Sequence, residues 1–170
     1  MASEERNRPS DRPSQESSSC ACSTVRRTAR AVTNLYDLVL APTKLKTTQF
    51  ILLRAIGDHS DVSQTRLAHD NYLAPETLSR RLSALVKAGW VTVRVGGAKR
   101  EHFYSLTPAG HAKVLEASPY WERAQHRISE CLRTADLDLL DTNRVLNAIA
   151  SAAVSGVSLR TTNHAEKASA

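Results

Sequence analysis

Short polar and charged side chains crowd into the start of one predicted helix, and they are of the types that contact nucleic acid. The first six residues of this helix include Pro75, Glu76, Thr77, Ser79 and Arg80. Hydroxyl, carboxylate and guanidinium groups hydrogen-bond to base edges in the major groove, and an arginine can donate twice to the O6 and N7 atoms of guanine. These residues are therefore predicted to approach bases, with Arg80 as the reader of a guanine. The competing interpretation of Arg80 is an ion pair with Glu76 one helical turn away.

The helix is predicted from the spacing of its leucines. Leu78, Leu82 and Leu85 recur at helical spacing and form one apolar stripe. Pro75 suits the first position of a helix, although Ala74 before it is a poor N-cap. Ala88-Gly89 are predicted to end the helix. The opposite face is polar and carries Glu76, Arg80, Ser83 and Lys87.

A shorter helix is predicted just before the leucine helix. Ser63 is placed to cap it, and Val62 and Leu67 have the spacing of a hydrophobic staple. Arg66 stands where a capping box has Glu or Gln. Ser63, Gln64 and Thr65 are predicted to contact DNA phosphates.

Two alternating segments follow, residues 90–95 and 102–106, joined by a turn at Gly96-Gly97. They predict a β-hairpin whose tip carries Arg94, Lys99, Arg100 and His102. Basic residues at such a tip can reach phosphates or a minor groove. The alternative is that the charges only keep an exposed hairpin soluble and free of edge pairing.

Amphipathic helices are predicted on both sides of this central region. One covers residues 24–40, and a second begins at Thr47 or Thr48, either of which can cap it, and ends at Gly57. After the hairpin, a helix begins at Pro108 with Thr107 as its cap, Ser118-Pro119 interrupt or bend it, and another follows Asp136. The last two apolar stripes have no partner within so small a domain, which favours burial against a second copy of the chain.

Composition narrows the class of protein. The net charge of +6 and pI near 9.5 favour an anionic partner.

Residues 1–19 are predicted to be a disordered N-terminal arm and residues 157–170 a disordered tail. We expect a cytoplasmic location because the N-terminus has no apolar segment of a signal peptide. Three cysteines do not suggest a disulfide framework, and no metal site or cofactor is predicted. No nucleophile-elbow or phosphate-loop motif indicates an enzyme.

The chain resembles the MarR family of transcriptional regulators in a series of motifs taken together. They are TQFILLRAI, SQTRLA, APETLSRRLSALVKAGWV, a basic Gly-Gly hairpin and SLTPAG. The resemblance covers residues 20–156. It implies a mostly α fold with a small β-hairpin wing: a winged helix-turn-helix lobe at 46–107, with dimerisation helices at 20–45 and 108–156. It also implies a homodimer that binds double-stranded DNA at a near-palindromic operator as a repressor. A winged helix can instead be a protein–protein interaction module, but Arg80 and Lys87 on the outward face count against this alternative.

The resemblance also bears on regulation, since such proteins are commonly released from DNA by a small ligand or by thiol oxidation. Cys22 and Tyr36, fourteen positions apart, are similar in arrangement to the organic-peroxide-sensing members. Arg26 replaces the aromatic residue those sensors carry, and an inert buried thiol is the alternative. A pocket for a small organic effector near Trp121 is the competing switch. The sequence departs from the family at Ala98, where many relatives have a wing Asp, and at Asn71-Tyr72 in the turn.

Overall fold

The computed structural model describes residues 20–96 and 101–154. The predicted arm at 1–19, the tail at 157–170 and the wing residues Ala98, Lys99 and Arg100 lie outside these ranges. In chain order the elements are α1 (Ala21–Leu40), a short 3-10 helix (Ala41–Thr43), α2 (Thr47–Gly57), β1 (Val62–Ser63), α3 (Gln64–Asp70), α4 (Pro75–Lys87), β2 (Val91–Gly96), β3 (Glu101–Leu106), α5 (Pro108–Arg133) and α6 (Leu139–Val154). The fold is the expected one, mostly α with a small β wing.

The apolar stripes of α4 and α2 belong to one core cluster of the winged lobe. Leu78, Leu82 and Leu85 of α4 are fully buried, as are Phe50 and the other stripe residues of α2, Leu53 and Ile56. Both predicted stripes are confirmed. Because each leucine removes its apolar surface from water, this burial fixes the rotation of α4 about its axis. The polar face of α4 is thereby turned outward.

The start of α3 is formed as predicted. The Ser63 hydroxyl accepts a hydrogen bond from the backbone N–H of Arg66 at 3.2 Å, and Val62 and Leu67 are both buried beside it. Ala74 makes no side-chain cap bond before α4, which begins at Pro75. Helix α4 ends before Gly89, whose φ of 76° is left-handed and favours glycine.

The wing is a three-stranded antiparallel sheet in the order β1-β3-β2. The hairpin is confirmed, with Val91 opposite Leu106 at its base and Gly96 opposite Glu101 near its tip. Strand β1 was not predicted, because a strand of two residues has no period to detect. It pairs Val62 with Tyr104 and ties the wing to the start of α3.

Two expectations about the helices are wrong. Helix α2 is capped by Lys46 instead of Thr47 or Thr48, since the Gln49 side chain accepts the Lys46 N–H at 2.9 Å. Pro119 does not interrupt α5, which runs on to Arg133. The carbonyl that loses its partner to Pro119 belongs to Leu115, which is exposed, so solvent can satisfy it. The continuous helix begins as expected, with the Thr107 hydroxyl accepting the Gly110 N–H at 3.0 Å.

Apolar side chains remain exposed on the outer helices. Leu140, Val145, Leu146 and Ile149 of α6 are between 45% and 67% exposed, and Leu38 of α1 is 71% exposed. Within the described ranges, α6 makes few contacts with the other elements. A search of the described helices found none with the length and hydropathy needed to cross a membrane.

Asp37 joins α1 to α2. Its Oδ1 accepts from the backbone N–H and the hydroxyl of Thr47, each at 2.7 Å, and its Oδ2 lies 3.2 Å from the Lys46 ammonium. Burial opposes ionisation of this carboxyl, but the hydrogen bonds from Thr47 and the Lys46 charge outweigh burial and lower the pKa of Asp37.

We predict that Asp37→Ala lowers the free energy of unfolding by about 2 kcal/mol at pH 7, since hydrogen bonds to a charged group are lost. A lowered folded-state pKa gives stability that is fully present above the unfolded value of about 3.9 and is lost as the pH falls through the folded pKa. Urea unfolding at pH 7 and at about pH 3 should show the difference shrinking in acid. Asp70→Ala, at an exposed carboxylate, is the control and should cost much less. An equal loss at both pH values would contradict the assignment.

Candidate nucleic-acid interface

The outward face of α4 is open along its length. Pro75, Glu76, Ser79 and Arg80 are exposed, and Thr77 is half-buried. Among the described residues, no ion pair joins Arg80 to Glu76, so the competing interpretation of Arg80 is not realised in this structure. The guanidinium stands on a surface that carries hydroxyls and a carboxylate, the groups that hydrogen-bond to bases.

A groove separates this face from the wing. It encloses about 400 Å³ between Ser79, Ser83 and Lys87 of α4 and Gln64, Val93, His102 and Tyr104. A second depression of about 300 Å³ continues it past Gln64, Thr65, Pro75 and His102. Residues that the sequence predicted on three separate elements, α3, α4 and the wing, are therefore brought to one concave surface.

Gln64 is held in this groove by the wing. The Tyr104 hydroxyl donates to its Oε1 at 3.2 Å. Burial raises the pKa of Tyr104, so the phenol stays protonated as a donor. With Oε1 engaged, the amide nitrogen of Gln64 remains as the group that can donate to a phosphate. Ser63 is half-buried and caps α3, whereas Thr65 is exposed.

Arg94, which lies opposite Phe103 in the wing hairpin, ties the wing to the segment before β1. Its guanidinium bonds the Asp61 carboxylate and lies 4.4 Å from the centre of the Phe103 ring. The Asp61 carboxylate thus joins β2 to the segment before β1. Sequence reasoning missed it, because pairing between Asp61 and Arg94 depends on the unpredicted strand. The Ser105 hydroxyl also donates to the Ser60 carbonyl at 2.9 Å, closing the same junction.

The predicted switch residues lie apart from this surface and from one another. Cys22 is exposed in the first turn of α1 of the single chain. Tyr36 is buried, with its hydroxyl bonded to Gln125 of α5. Fourteen residues of helix separate the two by about 21 Å, so they do not meet within one chain.

Trp121 is a residue of α5 whose side chain contacts α2. The Arg54 guanidinium lies 4.3 Å from its ring centre, and the Phe50 ring is 6.3 Å away on a tilted plane. A cleft of about 350 Å³ opens there beside Ile51, Ala55 and Asp58. Arg54 was not singled out in the sequence; its helical position on the edge of the α2 stripe was the available signal.

Comparison with known proteins decides the family. The MarR family model matches residues 45–95, which hold α2, α3, α4 and most of β2. The structure of the Mycobacterium tuberculosis transcriptional regulator MosR in complex with DNA is 31% identical, covers 80% of this chain and 97% of its own, and superposes with a TM-score of 0.70. The chain belongs to the MarR family. It is accordingly a DNA-binding transcriptional regulator and not an enzyme.

Further solved MarR-like structures share the fold. CouR bound to a 23-mer DNA duplex is 22% identical, covers 85% of this chain and 99% of its own, and has a TM-score of 0.69. A cysteine-to-serine mutant of Escherichia coli MarR, complexed with operator DNA, is 21% identical, covers 74% and 90%, and has a TM-score of 0.65. No curated protein sequence is significantly similar to the chain.

Removing Asp61 tests its ion pair with Arg94, because the change in DNA affinity differs in sign between the two explanations. Removing a carboxylate near DNA should strengthen binding if charge alone mattered. We expect Asp61→Ala to weaken duplex binding several-fold, because Arg94 and the wing lose their anchor. Fluorescence anisotropy with a labelled duplex measures this, and Asp58→Ala removes an exposed carboxylate nearby as the control. Tighter binding by Asp61→Ala would show that the pair does not position the wing.

Proposed function

We propose that the chain is a homodimeric repressor that reads a near-palindromic operator through α4 and is released by a small ligand or by thiol oxidation. The observation that carries the proposal is the outward face of α4, which lies open beside the wing groove with Arg80 unpaired in the described part of the chain. A protein-interaction module remains the alternative class, and loss of sequence preference in the DNA test below would favour it.

Base contacts are assigned to the start of α4. Pro75, Glu76, Thr77, Ser79 and Arg80 face the base edges, and Arg80 donates to guanine. Phosphate contacts come from α3 and the wing, which hold the lobe in register without reading sequence. The proposed phosphate-contacting residues are Ser63, Gln64, Thr65, Lys99, Arg100 and His102, with Arg94 holding the wing in place.

The dimer is proposed from the apolar residues left exposed on α1 and α6. Leu146 and Ile149 fall on one stripe of α6 with Leu139, and Leu38 is exposed on α1. Their burial against a second copy would add roughly 25 cal/mol for each Å² removed from water. Two-fold symmetry then places two copies of α4 in adjacent major grooves, about 34–36 Å apart, which a near-palindrome matches.

Two triggers fit the structure. The Trp121 cleft offers an aromatic ligand the apolar walls of Ile51 and Ala55 and the Arg54 guanidinium, which would bind an acidic group on the side away from the Asp58 carboxylate that also lines the cleft. For comparison, CouR from Rhodococcus jostii has been solved with p-coumaroyl-CoA. The second trigger is Cys22, whose exposure at the start of α1 gives an oxidant access.

The base-reading role of Arg80 is tested with duplex DNA flanking the gene and with a random duplex, each at two salt concentrations. Arg80→Ala should lose about 1–3 kcal/mol of preference for the flanking DNA over random DNA. Arg144→Ala removes a positive charge on the polar face of α6 and is the control. An equal loss on both duplexes would make Arg80 a phosphate contact only.

The two triggers are separated by variants. We expect benzoate or 4-hydroxycinnamate to release wild-type protein from the flanking DNA at concentrations at which Arg54→Ala stays bound. We also expect hydrogen peroxide to release wild-type protein but not Cys22→Ser. Both are read by gel shift. A trigger is rejected if wild type does not respond to it, or if its variant responds like wild type.

A further inference from the structure

One acidic side chain lies on the face of α4 that is proposed to read DNA. Glu76 is the second residue of this helix, whose other charged residues are Arg80, Arg81 and Lys87. Glu76 is exposed, and among the described residues it has no ion-pair partner. A DNA duplex repels a carboxylate through its phosphates. Glu76 therefore opposes DNA binding unless a hydrogen-bond donor of the DNA compensates for the repulsion.

Donors in the major groove are few, and they identify the base that Glu76 can contact. Cytosine presents the amino group N4 and adenine presents N6, whereas guanine presents only acceptors and thymine an acceptor and a methyl group. Adenine also has the acceptor N7 beside its amino group, and N7 repels a carboxylate. The ring carbon beside the cytosine amino group carries only hydrogen. Cytosine is therefore the base that best satisfies the Glu76 carboxylate.

The spacing of Glu76 and Arg80 sets where that cytosine lies. The two residues are four apart in α4, so they share one face and are separated by about 6 Å along the helix axis. Successive base pairs of a duplex are about 3.4 Å apart. Because these two side chains do not pair with each other, each can contact a different base pair. The cytosine is therefore expected about two base pairs from the guanine that Arg80 reads.

We infer that Glu76 is a specificity-determining residue, whose carboxylate accepts a hydrogen bond from the N4 amino group of a cytosine about two base pairs from the guanine read by Arg80. This inference rests on the proposed function, since it requires the start of α4 to lie in a major groove. Arg80 attracts any duplex through its charge, whereas Glu76 weakens binding to every sequence that lacks the donor. The two residues thus select a sequence by attraction at one base pair and by repulsion at another.

Selection of duplexes from a random-sequence pool tests this inference without a known operator. Wild type should enrich half-sites that have a cytosine about two base pairs from a guanine. Glu76→Ala should keep the preference for guanine and lose that for cytosine, whereas Arg80→Ala should lose the preference for guanine. When thymine replaces the cytosine in the selected duplex, wild type should bind about five- to tenfold more weakly and Glu76→Ala almost unchanged.

Glu76→Gln changes the charge of the side chain and keeps its size. An amide can accept from N6 of adenine and donate to N7, so this variant should prefer adenine where wild type prefers cytosine. Loss of the negative charge should also strengthen its binding to random duplexes. Asp141→Ala, which removes an exposed carboxylate near the start of α6, is the control and should change neither the base preference nor the affinity for random DNA.

A cytosine analogue without the exocyclic amino group, pyrimidin-2-one, locates the contact at one atom. In the selected duplex it should weaken wild type but not Glu76→Ala. The competing role of Glu76 is to stabilise α4 through the helix dipole, which is independent of DNA sequence. If both Glu76 variants enrich the wild-type sequence, or lose affinity equally on every duplex, the inference is overturned and the proposed function stands. If wild type enriches no sequence, the proposed function itself fails.

Discussion

The burial of the α4 leucines in the core of the winged lobe is the interaction on which the rest of the interface depends. Leu78, Leu82 and Leu85 are fully buried against a cluster that includes Phe50 and Ile56. Each buried leucine contributes roughly 1.5–3 kcal/mol, so the rotation of α4 is fixed by far more than the ~0.5 kcal/mol that a surface ion pair could supply. Because the buried face of α4 is fixed, its polar face is fixed as well.

The wing depends on a contact of a different kind. Strand β1 has only two residues, yet it carries the register that aligns β3 with α3. Val62 lies opposite Tyr104, so the Tyr104 ring is drawn to the side of Gln64, and Asp61 comes beside Arg94. A slip of one residue would turn Tyr104 to the other face of the sheet and break both contacts. The shape of the groove between α4 and the wing therefore depends on the register of the β1–β3 pairing.

Periodic features could be predicted from the sequence, and contacts between distant residues could not. The leucine stripe, the Ser63 cap, the hairpin and the Thr107 cap are local patterns, and each was found where it was expected. Three contacts instead join residues that are far apart in sequence: Asp61 with Arg94, Tyr104 with Gln64, and Arg54 with Trp121. Pro119 shows the opposite case: the local rule predicted an interruption or a bend, and the helix is not interrupted, with Ala117 and Ala124 buried on either side of the proline.

In the turn between α3 and α4, backbone strain at one residue is offset by a hydrogen bond to a distant helix. Tyr72 adopts a φ of 51°, which costs a residue with a side chain roughly 1–2 kcal/mol and would cost glycine little. Its hydroxyl lies 2.7 Å from the Ser151 hydroxyl of α6, a hydrogen bond worth about 0.5–1.5 kcal/mol. The two magnitudes are similar, so the bond offsets much of the strain that a tyrosine brings to this position. Glycine would relieve the strain but could not make the bond. The tyrosine therefore links the helix-turn-helix to a helix that carries exposed apolar side chains.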